Sequence, residues 1–91
     1  MEIEFDPEKA ATNLTKHGVA LDEAAGSLLD PLALVREDPI AEGEARFVLV
    51  GMSGSGRLLT VCYTLRDEET IRLISARKAT GKEEQQYAQG I

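Results

Sequence analysis

The chain has 91 residues and a formal net charge of −6, and we expect residues 1–91 to form a single domain. Its single cysteine, Cys62, excludes an intrachain disulfide and a cysteine-based metal site, and we expect this thiol to be buried. Met1 is followed by Glu2 and Glu4 rather than by cations, and no apolar run approaches the roughly 20 residues of a membrane span. We therefore expect a cytoplasmic protein with no membrane partner.

The amino-terminal part carries the signals of one strand and two helices. The stretch "MEIEF" alternates polar and apolar residues, as a short strand does. "DPEKAATNLTKHG" predicts a helix in which Asp6 is the cap, Pro7 is the first helical residue and Gly18 is the left-handed stop. "LDEAAGSLL" has apolar residues at helical spacing, and Asp30-Pro31 closes this second helix.

The rest of the chain predicts a sheet and a terminal helix. "LALVRED" is a candidate strand that ends at Pro39, and "IAEGEA" is a polar connection. "RFVLVGM", "RLLTVCYTL" and "TIRLISARKA" predict an antiparallel meander. "TGKEEQQYAQGI" begins a short helix, with Thr80 as its cap and Glu83 in the capping-box position. The predicted fold class is α+β, with a twisted, mainly antiparallel sheet, two amino-terminal helices and one carboxy-terminal helix.

Several kinds of site are disfavoured by the sequence. "GMSGSGRL" nearly spells a P-loop, but Arg57 and Leu58 replace the required Lys and Ser or Thr, and a strand follows instead of a helix. We interpret it as a glycine-rich hairpin turn. His17 is the only histidine, and no carboxylates with metal-ligand spacing surround it. No metal site, cofactor or serine triad is therefore expected.

Charge is unevenly distributed along the sequence. Residues 57–82 hold six cations and three acids, a net +3, whereas the remainder holds four cations and thirteen acids, a net −9. A local cationic face can bind a polyanion on an acidic protein, because salt screens exposed charges beyond about 8–10 Å. The remainder, in contrast, predicts that the chain by itself does not bind specific DNA, since DNA affinity depends on cations.

The strand that ends in Arg77 and Lys78 lies in this basic segment. By the two-residue period of a strand, Arg77 shares the face of Ile71 and Leu73 and reaches the margin of the core. Lys78 has the opposite parity and is expected on the other face. Two interpretations are open for Arg77, a phosphate ligand or a solvated strand end.

Five segments of the chain, in the right order and spacing, resemble the BrnT family of ribonuclease toxins from bacterial type II toxin–antitoxin systems. They are "FDPEKAATNLTKHGVALDEA", "DPLAL", "GEARFVLVG", "GRLLTVCYT" and "IRLISARKAT". The resemblance implies a small RelE-like fold and an RNA substrate whose cleavage blocks translation and growth. It also implies a BrnA-type antitoxin, a DNA-binding protein that neutralises the toxin in a hetero-oligomer and represses the shared operon with it.

The resemblance also implies which polar residues form the active face. Metal-independent RNA cleavage uses the RNA's own 2′-hydroxyl as nucleophile, and it needs a proton acceptor and a stabiliser of phosphoryl charge. The catalytic candidates are Arg77 for charge stabilisation and His17 and Glu44 for proton transfer, and the RNA-binding candidates are Lys16, Arg46 and Arg57.

Structural interpretations of the same residues stay open. His17 and Lys16 can instead stabilise the carboxy-terminal end of their helix, and Glu44 can instead pair with Arg46 or Arg57. After Ala79-Thr80 the family usually continues with several arginines, whereas this chain has "GKEEQQY". That departure leaves a second function open, a non-catalytic toxin-like module that only docks a partner protein.

Overall fold

The computed structural model describes residues 1–38 and 43–90 of the chain. Its elements are β1 (Glu2–Glu4), α1 (Pro7–His17), α2 (Leu21–Ser27), β2 (Leu34–Glu37), β3 (Arg46–Met52), β4 (Leu58–Leu65), β5 (Thr70–Lys78) and α3 (Gly81–Gln89). Pro39, the expected end of the second strand, and residues 40–42 of the polar connection lie outside the described part. The α+β class with three helices is confirmed, and none of these helices has the length and apolar character of a membrane span.

Local capping interactions explain where two of the helices begin and end. The Asp6 carboxylate accepts a hydrogen bond from the Glu8 N–H at 2.9 Å, and Gly18 ends α1 with a φ of 69°. In α3, the Thr80 hydroxyl accepts from the Glu83 N–H, and the Glu83 carboxylate accepts from the Thr80 N–H. The capping box predicted from the sequence is therefore confirmed.

All five strands belong to one mixed sheet in the order β1-β5-β4-β3-β2. The meander of β2, β3, β4 and β5 is antiparallel, whereas β1 runs parallel to β5. β1 pairs only with residues 70–72, so none of the described strands covers the later part of that edge of β5. The mainly antiparallel sheet is as expected, and the uncovered edge is where α1 packs.

The core lies between one face of the sheet and the two amino-terminal helices. Its buried side chains are Val19, Leu21, Ala24, Leu49, Leu59, Val61, Tyr63, Ile71, Leu73 and Ala76. β3 approaches α2 closely at Gly51, where a Cβ atom would lie 2.6 Å from the Ser27 carbonyl oxygen. These helices close the core face, and we call the opposite face of the sheet the open face.

A β-bulge interrupts the alternation of β5. Cys62 of β4 pairs with Ser75, but its neighbour Tyr63 pairs with Leu73, so Ile74 is an extra residue. One extra residue reverses the side on which every later side chain lies. The two-residue period therefore fails for the end of this strand.

The bulge carries Arg77 to the open face. Ala76 is buried in the core opposite Val61, and Arg77 lies opposite Thr60 with its side chain on the other face. The prediction that Arg77 shares the core face while Lys78 takes the other is therefore wrong. Lys78 has the parity of the core face, although it is exposed because the strand ends there.

Candidate functional site

Two neighbouring rows of cross-strand pairs form the middle of the open face. The first row is Arg36–Val48–Cys62–Ser75 and the second is Leu34–Val50–Thr60–Arg77. Each row crosses β2, β3, β4 and β5. The first row links Arg36 of the edge strand to Ser75 of β5, and the second links Leu34 to Arg77. Residues that are far apart in the sequence are thereby placed on one surface.

Two adjoining hollows lie over these rows, and together we call them the cleft. The smaller hollow has a volume of about 260 Å³, and its polar lining is His17, Arg36, Thr60, Cys62, Ser75 and Arg77. The larger, of about 630 Å³, extends between the strands and α3, with apolar residues such as Val48 and Val50 on one side and Thr80, Lys82, Glu83 and Gln86 on the other. Arg36 and Arg77 line both hollows.

Arg77 makes a two-point ion pair with Glu83 of α3. Its Nη1 lies 2.7 Å from Oε1 and its Nη2 lies 3.1 Å from Oε2. Glu83 Oε1 also accepts hydrogen bonds from the Thr60 hydroxyl at 2.9 Å and the Thr80 N–H at 2.8 Å. Burial by itself would raise the pKa of Glu83, but the bonds from Arg77, Thr80 and Thr60 outweigh it and lower the pKa from 4.5 to about 2. The pair is therefore fully charged at neutral pH.

His17 reaches the cleft because α1 packs against the uncovered edge of β5. The Asn13 amide donates to the Ala76 carbonyl at 2.9 Å and accepts from the Ala76 N–H at 3.0 Å, which fixes the helix beside the bulge. His17, at the end of α1, lines the smaller hollow with Arg77. It also lines a separate hollow of about 370 Å³ together with Lys16, which does not line the cleft.

Arg57 lies outside the cleft in a polar network of its own. Its Nε donates to the Glu23 carboxylate at 2.8 Å, and a second guanidinium nitrogen contacts the same group. The hydroxyls of Ser53 and Ser55 also donate to Glu23. These bonds, that of Arg57 first, lower the pKa of Glu23 from 4.5 to about 2. The network ties the β3–β4 hairpin turn to α2, and Arg57 lines a different hollow with Lys78.

Glu44 and Arg46 also lie away from the cleft. Their nearest charged atoms are 3.8 Å apart, and more than two fifths of each side chain is exposed. Such a pair contributes little to stability. Arg46 pairs with Thr64 on the open face, beyond the two rows described above, and its buried Nε has no hydrogen-bond partner among the described residues. The structure thus brings only two of the six candidates, His17 and Arg77, into the cleft.

Two cleft residues were missed as functional candidates from the sequence. Arg36 lies two residues after Leu34 in a short strand, so the two side chains share one face of the sheet. This alternation is the one sequence signal that indicates on which face Arg36 lies. Glu83 is visible in the sequence only as a helix cap, and nothing there shows its bond to Arg77. Cys62, expected to be buried, is half-buried and lines the cleft, and burial raises the pKa of its thiol.

The polar residues of the cleft can bind an anion but do not form a metal centre. Its lining includes three cations, Arg36, Arg77 and Lys82, and one carboxylate, Glu83. Within residues 1–38 and 43–90, no three acidic, histidine or cysteine side chains are grouped as metal ligands. Guanidinium groups bind phosphate oxygens in pairs, and an imidazole can transfer a proton near neutral pH. The arrangement is therefore suited to chemistry at a phosphate group.

A family model and a solved structure match this chain. The sequence model described as the ribonuclease toxin, BrnT, of type II toxin–antitoxin systems matches residues 5–83. No curated protein sequence matches the chain. The crystal structure of the Brucella abortus ribonuclease toxin BrnT is similar, with a TM-score of 0.65 and 23% sequence identity. The likeness covers 88% of this chain and 97% of that one, and at this identity it shows a shared fold.

Proposed function

The chain belongs to the BrnT family of ribonuclease toxins of type II toxin–antitoxin systems, and we propose that it is an endoribonuclease that cuts RNA in the cleft without a metal ion. The observation that carries the proposal is that His17 and Arg77 line the same small hollow although they are 60 positions apart. The resemblance assigned these two residues to proton transfer and charge stabilisation. Their meeting on the open face supports both roles.

In the proposed reaction, the 2′-hydroxyl of the RNA attacks the adjacent phosphorus. His17 accepts the hydroxyl proton, the bond to the 5′ oxygen breaks, and the departing oxygen takes up a proton from water. The products are a 2′,3′-cyclic phosphate and a 5′-hydroxyl. Among the described residues the His17 imidazole makes no hydrogen bond, which leaves its nitrogens available for this transfer. Arg77 and Arg36 stabilise the charge that develops on the phosphoryl oxygens.

The other predicted residues take outer positions in this proposal. Lys16 lies in the hollow next to His17, and Arg46 lies on the open face beyond the cleft, so both are suited to phosphates that flank the cut. Arg57 would have to exchange its bonds to Glu23 before it contacted RNA. For Glu44 the exposed pair with Arg46 favours an ion-pair role over proton transfer.

The biological role we propose is that cleavage blocks translation until a BrnA-type antitoxin binds the toxin. The chain itself supplies few DNA contacts, since the sequence outside residues 57–82 has a net charge of −9. We expect operator binding only when the antitoxin is present. A gel-shift assay in which the isolated chain binds the operator tightly would contradict this.

One observation favours a second candidate, the non-catalytic docking module. Glu83 already occupies one edge of the Arg77 guanidinium, and α3 continues with Glu84 and two glutamines where the family has arginines. If the carboxylate excludes phosphate, the cleft cannot cleave RNA. The chain would then retain only the capacity to bind its partner.

Purified protein and a defined RNA in EDTA separate the two candidates. The ribonuclease cuts the RNA without metal and leaves a 2′,3′-cyclic phosphate, which end-group analysis detects. The module leaves the RNA intact in EDTA and in magnesium alike. The control is His17→Ala protein from the same preparation, because a contaminating nuclease would cut equally well in both samples.

A further inference from the structure

The contacts of Arg77 use three of its five N–H donors. Both hydrogens of Nη1 are engaged, one by Glu83 Oε1 at 2.7 Å and one by the Lys78 carbonyl at 3.2 Å. Nη2 gives one hydrogen to Glu83 Oε2 at 3.1 Å. The Nε–H and the second Nη2–H point along the remaining edge of the guanidinium, and they have no partner within residues 1–38 and 43–90.

This remaining edge is itself a fork of two parallel donors. Such an edge can bind two oxygens of one phosphate, as the occupied edge binds the two carboxylate oxygens. Glu83 therefore does not consume the capacity of Arg77 for an anion. Glu83 occupies the end of the guanidinium formed by Nη1 and Nη2, and it leaves the edge formed by Nε and Nη2 available.

Glu83 is held more firmly than an ordinary surface carboxylate. Its side chain is 14% exposed, compared with 43% for Arg77. Thr60 reaches it from the floor of the cleft, and Thr80 reaches it from the start of α3. Four donor groups on three residues thus fix one carboxylate, and that carboxylate fixes the guanidinium.

We propose that Glu83 is a positioning residue of the ribonuclease site, which holds Arg77 so that its Nε–H and Nη2–H edge meets the RNA phosphate. The inference rests on the proposed function. An unrestrained arginine side chain rotates about several bonds. A donor that is already fixed needs no reorganisation when charge develops in the transition state. Glu83 has the same sign of charge as the RNA phosphate. The cations Arg36 and Lys82, which line the cleft with it, offset this repulsion.

The opposite role would be competition, in which Glu83 has to leave before RNA binds. The two roles predict opposite signs for Glu83→Gln. Glutamine keeps the size of the side chain and the capping-box bond, but its NH2 group takes the place of one acceptor oxygen, so the two-point bond to Arg77 is lost. If Glu83 positions Arg77, the Glu83→Gln variant should have a lower kcat than wild type. If Glu83 competes with RNA, the variant should have a higher kcat or a lower KM.

The first experiment measures kcat and KM on one defined RNA. For Glu83→Gln we expect a fall in kcat of about a hundredfold, the usual effect of a misplaced catalytic group, with little change in KM. The matched control is Glu84→Gln, which removes the same charge from an exposed position outside the cleft and should cleave as wild type does. Glu83→Gln protein that cleaves as fast as wild type, or faster, overturns the proposal.

A second variant covers the case in which Glu83→Gln does not fold. Thr60→Val removes the hydroxyl that donates to Glu83 and preserves the shape of a buried strand residue. We expect it to lower kcat in the same direction, with a smaller effect. If this variant is folded and fully active, the positioning role is wrong.

A nuclear magnetic resonance experiment separates failure of this inference from failure of the proposed function. The probe is an RNA with a 2′-deoxy nucleotide at the cut site, added to protein labelled with ¹⁵N. In wild type the Arg77 Nε–H signal should be sharp and should shift on addition of this RNA, and in Glu83→Gln it should be broad and shift less. If wild type cuts no RNA, the proposed function fails, and the signal still decides whether Glu83 orients Arg77. An unchanged signal in the variant refutes the inference even where wild type is active.

Discussion

Asn13 of α1 bonds both main-chain groups of Ala76 in β5, with distances of 2.9 Å to the carbonyl oxygen and 3.0 Å from the N–H. The same amide donates to the Val19 carbonyl at 2.8 Å. Ala76 follows the bulge on the edge that β1 leaves uncovered, so the side chain takes the place of a neighbouring strand. This buried contact locates the end of α1, and with it His17.

Asn13→Ala should therefore be strongly destabilising. It leaves the buried N–H and carbonyl of Ala76 without partners, and the expected loss in the free energy of unfolding is about 2–4 kcal/mol. Urea denaturation followed by circular dichroism measures it. Thr15→Ala on the exposed side of α1 is the control and should stay within about 0.5 kcal/mol of wild type. Equal stabilities for the two variants would show that the contact is dispensable.

Glu23 and Glu83, whose pKa values are lowered the most, predict an acid-sensitive fold. The pKa values of Glu23 and Glu83 are about 2 in the folded chain, against an ordinary value of 4.5. Because folding favours their charged forms, their contribution is complete above pH 4.5 and is lost as the pH falls from 4.5 towards 2. The free energy of unfolding should fall in this window.

The matched variants are Glu23→Gln and Glu83→Gln, each of which should be less stable at pH 7 and should show a flatter decline below pH 4.5. Glu68→Gln replaces an exposed carboxylate without a hydrogen bond or ion pair among the described residues, and it should follow the wild-type curve. Urea titrations at several pH values give these curves. A wild-type stability that does not change between pH 4.5 and 2 would argue against both networks.

Arg77→Ala should lose most RNA cleavage while the domain stays folded. Removal of a fixed donor for transition-state charge costs about 10²–10³ in rate. Lys78→Ala is the neighbouring control and should keep most of its activity, since Lys78 lines a different hollow with Arg57. The measurement is the cleavage rate on one RNA, with circular dichroism to establish folding. A folded Arg77 variant with wild-type activity would make Arg77 a solvated strand end.

Arg36→Ala tests the cation that sequence reasoning missed. Arg36 enters the cleft from the edge strand, opposite the end of β5, so it should contact a phosphate of the bound RNA. A hydrogen bond to a charged group is worth about 1.5–3 kcal/mol, and its loss from the transition state predicts at least a tenfold fall in kcat/KM. Arg66→Ala, whose side chain pairs with Glu4 outside the cleft, removes the same charge as a control. A kcat/KM equal in the two variants would exclude a specific contact by Arg36.

Local sequence determined the elements of this fold because each signal acts within a few residues. Asp6 bonds an N–H two positions away, and Thr80 and Glu83 cap α3 across three. The strands of the meander follow from alternating apolar residues and the turns between them. The order and spacing of the five sequence segments that resemble the BrnT family also identified that family. The expected fold class and the expected family are both confirmed.

Only the tertiary structure decided which residues share the cleft. The extra residue Ile74 is invisible to a two-residue period, because a bulge exists only in the pairing of two strands. That pairing moved Arg77 to the open face, next to Arg36 from a distant edge strand. Asn13 and Ala76 are 63 positions apart, and their contact is set by how a helix packs on a sheet edge. In the sequence, Glu83 is recognisable only as a helix cap. Its bond to Arg77 forms because the bulge places Arg77 on the open face and α3 lies across that face.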